Sequence, residues 1–167
     1  MHIIQTHNLN HVAHTDPNNN LACLTWASRQ QLDLLATHGE VVMLDATYKV
    51  NNIRMPLFSM AVVDRDGHGQ PVAHALLARE DEEHIKMFIG DVTQWQPQIA
   101  TSTFITDKDF AEINAVKNMF PDVKVFLCHF HVMKAFVEEI NKQSPPEGET
   151  LLGVGITVSM LWCSIYL

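Results

Sequence analysis

Two aspartates stand where apolar strands should run, and they constrain the fold more than any other feature of the chain. Asp45 interrupts the β-branched, apolar run Val41-Val42-Met43-Leu44-Asp45-Ala46-Thr47-Tyr48, and Asp107 closes the run Thr101-Ser102-Thr103-Phe104-Ile105-Thr106. A carboxylate inside a buried strand is costly unless it is partnered. A turn, a helix cap or a metal site would each explain Asp107 taken alone. Only a second carboxylate brought beside it by the fold decides among them.

The hydrophobic period along the chain shows which segments surround these acids. Residues 28–37 read as a short helix stopped by Gly39. Residues 41–48 read as a strand, and residues 56–64 as a second, apolar on both faces and therefore central. Asp66-Gly67 and Gly69 supply a turn, and residues 70–78 return as a third strand. In residues 81–95, Ile85, Phe88, Ile89 and Val92 recur at helical spacing behind an acidic first turn. A strand over 101–106 follows. The helix over 109–120 has Asp109 and Glu112 spaced as a capping box. A strand over 123–128 and a helix over 129–142 complete the order β-β-β-α-β-α-β-α. Phe130, Met133, Val137 and Ile140 share one face of that last helix.

Three antiparallel strands followed by helical crossovers to two more predict an α/β fold of the ribonuclease H-like kind, with a mixed five-stranded sheet flanked by helices. A right-handed crossover lays the strand ending at Asp107 parallel to the strand carrying Asp45. Two carboxylates side by side repel unless a cation lies between them. Mg²⁺ or Mn²⁺, hard and oxygen-seeking, suits such a pair and supports metal-assisted phosphodiester chemistry.

Residues 44–82 and 104–136 resemble the Mutator-like transposase domain, and within it the ribonuclease H-like domain of zinc finger SWIM-type proteins. The carrying elements are D-x-T-Y at 45–48, the Asn and Pro-Leu residues within 52–57, T-D-K-D at 106–109, F-P at 120–121 and C-x-x-H at 128–131. The resemblance covers roughly residues 23–140. It implies an Asp-Asp-Glu acid triad, with Asp45 and Asp107 as its first two members and as ancestral Mg²⁺ ligands. It also implies a nuclear protein whose full-length or ancestral form works on DNA. The family's third acid lies beyond an inserted region after C-x-x-H. This chain is therefore expected to be truncated and catalytically incomplete, a domesticated binding or scaffold module. Glu138 and Glu139 are the downstream acids that could substitute. The alternative is an Mg²⁺-dependent DNA transposase or nuclease in a longer form carrying the third acid.

Other residues carry competing readings. Asp109 is a helix cap before it is a ligand, and Thr47 is an ordinary strand residue that could orient Asp45. Asp64 and Asp66 belong to a hairpin turn, since the later positions of a calcium loop are missing. Cys128 and His131, at i and i+3, supply half of a tetrahedral zinc set, and Cys23 lies too far away in sequence to be assigned to it. His7, His11 and His14 have helical spacing, but Asn8, Asn10 and Pro17 oppose a helix there.

Residues 1–20 read as a loose polar leader, 21–143 as the domain, 144–150 as a linker and 151–167 as an uncharged apolar tail. That tail is at the short limit for a membrane span. No membrane role is expected unless it is a genuine anchor, and a gene-model or splicing origin is the favoured alternative. The formal charge of −8 predicts weak, unselective DNA binding by this chain alone and leaves protein partners open. Three widely spaced cysteines argue for a reducing, intracellular compartment.

Overall fold

A computed structural model describes residues 9–107 and 109–142, with side chains placed to Glu139. His7, residues 1–8 generally, and the linker and tail over 143–167 lie outside the described residues. The order of elements is β1 (Leu9–Thr15), β2 (Leu21–Ser28), α1 (Arg29–His38), β3 (Val41–Thr47), β4 (Leu57–Val63), β5 (Gly69–Leu77), α2 (Glu82–Trp95), β6 (Thr103–Thr106), α3 (Phe110–Met119), β7 (Lys124–Leu127) and α4 (His129–Lys142).

One mixed sheet of seven strands, ordered β1-β2-β5-β4-β3-β6-β7, replaces the expected five. The two additional strands are an N-terminal hairpin. Residues 9–15, expected within a loose leader, pair antiparallel with β2 from Leu9↔Ser28 to Thr15↔Leu21. Its turn is organised by Asp16, whose carboxylate accepts from the backbone N–H groups of Asn18 and Asn20. The polar composition that suggested a leader belongs to this Asx-type turn and to an edge strand exposed on alternate residues.

The β3-β4-β5 meander is antiparallel as expected. Its β4–β5 turn needs a left-handed residue, supplied by Gly67 at φ 84°. β6 lies parallel to β3, and β7 parallel to β6.

Helix starts follow from local chemistry. Ser28 and Gln31 make a reciprocal capping box at α1. Asp81 caps α2 by accepting from the His84 N–H. Asp109 caps α3 by accepting from the Ala111 N–H, but Glu112 does not complete the expected box.

One core joins these elements. Val42 and Leu44 of β3, with Phe58, Met60 and Val62 of β4, pack with Leu32 and Leu35 of α1 and Ile85, Phe88, Ile89 and Val92 of α2. Ala115 and Val116 of α3 belong to the same cluster. α1 lies against β5, β4 and β2, while α2 lies against β2, β5 and β1 and beside α3. A polar seam crosses it. Asp91, buried on α2, accepts from the fully buried Thr25 hydroxyl at 2.6 Å and bonds the His14 ring of β1 at 2.9 Å. Thus the hairpin is tied to the domain by α2 as well as by strand pairing. No described helix is long and apolar enough to cross a membrane.

Candidate acidic metal site

Strand register brings the two aspartates together. The parallel pairs Val41↔Thr103, Val42↔Phe104 and Met43↔Ile105 continue, two residues on, to Asp45 beside Asp107. Alternation puts both on the face opposite Val42 and Phe104, whose side chains enter the core. They line a cavity of about 210 Å³ with Tyr48, Glu80, Asp109, Glu112, His131 and Lys134 among its other walls.

Electrostatics in this cavity follow from too many acids in too little water. Burial pushes the Asp45 carboxyl up; His131 pulls it back and the Asp107 charge pushes it further. His131 reaches over from α4, its Nε2 lying 3.6 Å from an Asp45 carboxylate oxygen. Its Nδ1 is buried and has no hydrogen-bond partner.

Glu112 is the site residue that sequence reasoning missed. Expected at a helix cap, it is only 3% exposed and accepts a hydrogen bond from the Asp107 backbone N–H at 3.2 Å. Burial pushes its carboxyl up to about 8, against the Asp107 N–H and with help from the charges of Asp107, Asp109 and Asp45. A usable signal was present in the sequence. Glu112, Ala115, Val116 and Met119 recur at i, i+3, i+4 and i+7, which places the acid on the apolar stripe of α3. Glu138 and Glu139, weighed as substitutes, are exposed on α4, and neither lines the cavity.

Tyr48, last residue of the D-x-T-Y stretch, stands at the rim. Its hydroxyl donates to Glu80 at 2.8 Å. Burial of that hydroxyl end, then Glu80, pushes the phenol well above its usual range, although the residue as a whole is 58% exposed. The loop that follows contains two left-handed residues that are not glycine, Lys49 at φ 63° and Arg54 at φ 58°. Each costs on the order of 1 kcal/mol.

The donor chemistry of Asp45 and Asp107 fits a hard divalent cation: two carboxylates on neighbouring strands, with room for water or phosphate oxygens. Glu112 does not join them in a closed cage. Among the described residues, the one group of three His, Cys, Asp or Glu side chains whose ligand atoms lie within 4.8 Å of one another is Asp64, Asp66 and His68. That group is the β4–β5 turn, where Asp64 accepts from the N–H groups of Asp66 and His68 and from the Gln70 amide. Those bonds occupy its oxygens with turn formation. Cys128 is a half-buried free thiol, and it and His131 find no third donor that would build a zinc set among the described residues. Of the other acids and the strand threonine, Asp109 is an exposed cap and Thr47 is exposed. Cys23 is buried, and burial pushes its thiol up to about 11.

A mixed α/β sheet with acids converging on two central parallel strands defines the ribonuclease H-like class. Residues 2–126 match the ribonuclease H-like domain of zinc finger SWIM domain-containing proteins 1 and 3, and the chain belongs to that family. It is also similar to the protein FAR1-RELATED SEQUENCE 5 of Arabidopsis thaliana, 25% identical over 121 residues. That alignment takes in 70% of this chain and 15% of the plant protein, so the chain spans a small part of its relative's length. The transposase-derived relationship read from the sequence motifs is shared by these proteins.

Proposed function

We propose that this is a domesticated, transposase-derived ribonuclease H-like module that acts in the nucleus as a binding or scaffold domain. It keeps at Asp45 and Asp107 the divalent-cation site of its ancestor. The observation that supports this reading is the arrangement around Asp45. Asp107 stands level with it on the neighbouring strand, while the His131 ring, rather than a third carboxylate, reaches it from α4. Glu112 is engaged with the Asp107 backbone and lies outside a shared ligand cage.

Mg²⁺ bound there would supply charge stabilisation for a phosphodiester oxygen. The protein's own contribution is to hold two carboxylates in register and to set the His131 ring against Asp45. Two carboxylates give weak binding, on the order of millimolar. Titrating Mn²⁺ or Mg²⁺ into the chain by calorimetry tests the site. Loss of the binding isotherm in both Asp45→Asn and Asp107→Asn is expected; unchanged binding in either would refute it.

A second reading is favoured by Glu112. A third acid at the same cavity supports a metal-dependent DNA nuclease or strand-transfer activity, in this chain or in a longer form. Metal-dependent nicking of labelled DNA that disappears in Asp45→Asn and Glu112→Gln would establish it over the scaffold reading.

A further inference from the structure

We propose that the β3–β4 loop, residues 48–54, is a binding site for single-stranded nucleic acid at the rim of the acidic cavity. The inference deepens the binding-module reading by naming the partner, and it makes no use of Asp45 or Asp107.

Three observations on the loop converge. Its charge is the reverse of the chain's. The whole protein carries 19 Asp and Glu against 11 Lys and Arg, yet Tyr48-Lys49-Val50-Asn51-Asn52-Ile53-Arg54 holds two cations and no acid. Its surface is apolar as well as basic: Tyr48 is 58% exposed, Val50 48% and Ile53 62%, with Lys49 and Arg54 exposed among them. Its shape is fixed at a cost. The left-handed residues are the two cations themselves, side chains with no local preference for that conformation. The Asn51 side chain pins the loop at both ends of a short circuit, donating to the Met55 carbonyl at 2.6 Å and accepting from the Met55 N–H at 3.1 Å. The Tyr48 ring is held by its hydroxyl bond to Glu80. A strained, internally stapled loop that presents cations and bare apolar surface is pre-organised for a ligand.

Charge complementarity selects an anion, and the exposed ring selects one with flat faces. A nucleic-acid strand offers both: phosphates for Lys49 and Arg54, and a base to stack on Tyr48. Base faces are available for stacking when the strand is unpaired. Two cations on a chain of net charge −8 are also too few to hold a duplex firmly. The acids of the neighbouring cavity repel phosphate, so affinity should fall within the non-specific range of about 10⁻⁴ to 10⁻⁶ M and rise when Mg²⁺ is added.

The test is fluorescence anisotropy of a labelled oligothymidylate of about a dozen nucleotides with the 167-residue chain, at low salt, in EDTA and again in Mg²⁺. Tyr48→Ala should weaken binding roughly fivefold to a hundredfold, while Tyr48→Phe keeps the ring and should stay near wild type. The pair Lys49→Ala and Arg54→Ala should lower the slope of log affinity against log salt by about 0.7 per residue removed. Failure of the cation site would appear as loss of the Mg²⁺ effect alone, with the loop variants still impaired in EDTA. The loop proposal is overturned by absence of oligonucleotide binding in every arm, by equal binding of Tyr48→Ala and wild type, or by tighter binding of duplex than of single strand.

Discussion

Replacing Glu112 with glutamine should make this protein more stable in alkaline buffer and change little in acid. In the folded state burial and three neighbouring carboxylates hold Glu112 protonated up to about pH 8, whereas in the unfolded chain it ionises near 4.5. A raised folded value means that its full contribution is present below pH 4.5, where both states carry the proton. Stability is lost as pH rises towards 8, because the unfolded chain alone releases it. The interval is about 3.5 pH units, and each is worth about 1.36 kcal/mol, so the limiting loss is about 5 kcal/mol. Residual hydration and relaxation around the carboxyl reduce this, and about 2–4 kcal/mol is the expected magnitude. Glutamine keeps the shape and can still accept from the Asp107 N–H, so the variant lacks the ionisation and little else. Urea denaturation of wild type and Glu112→Gln in EDTA, from pH 4.5 to 8.5, reads the difference directly. The two curves should meet near pH 4.5 and part steadily above it, with the variant more stable. A constant gap across that range, or a variant less stable at pH 8, would show that Glu112 is not held protonated by its surroundings.

Divalent cation should oppose the same effect: Mg²⁺ or Mn²⁺ raises the melting temperature of wild type and not of Asp45→Asn or Asp107→Asn, as thermal scans with and without EDTA will show. In EDTA those two variants should melt at the wild-type temperature or slightly above it, since each removes one partner of a like-charge contact. Asp91→Ala leaves the buried Thr25 hydroxyl and the His14 ring without their acceptor and should cost about 2–4 kcal/mol in denaturant unfolding. Burial also lowers the His74 titration, so stability contributed by neutral His74 is complete above pH 6.5 and declines below it; His74→Gln should flatten that acid limb of the stability profile. A mobility-shift titration with duplex DNA at physiological salt should find weak, sequence-independent binding.

Much of the fold was legible because periodicity and topology agree. The meander, the three later helices and the parallel placement of the Asp107 strand beside the Asp45 strand follow from apolar spacing and from the handedness of crossovers. The N-terminal hairpin was not legible, because Leu9–Thr15 alternates half-buried with exposed residues and includes two histidines and an asparagine. An edge strand needs only one weakly apolar side, and its polar turn imitates a disordered leader. Without that hairpin the sheet is five strands wide, which is the number the later segments predict.

Glu112 escaped for a different reason, and it bears on how the site is built. At the third position of a helix that opens with Asp109, a glutamate satisfies a familiar capping pattern, and local chemistry alone gives no cause to look further. Its helical stripe does: Ala115 and Val116 are fully buried, and a residue on the same face must be buried too. Asp107 lies at the end of β6 and Glu112 in the first turn of α3, so one strand-to-helix junction delivers two acids to the cavity. One reaches it by sheet register with Asp45, the other by helical phase. The hydrogen bond from the Asp107 N–H to Glu112 ties the junction closed. A substitution at Glu112 therefore tests charge only if it keeps that acceptor. Glu112→Gln does so, whereas Glu112→Ala would also free the Asp107 backbone and displace the aspartate whose placement it was meant to probe.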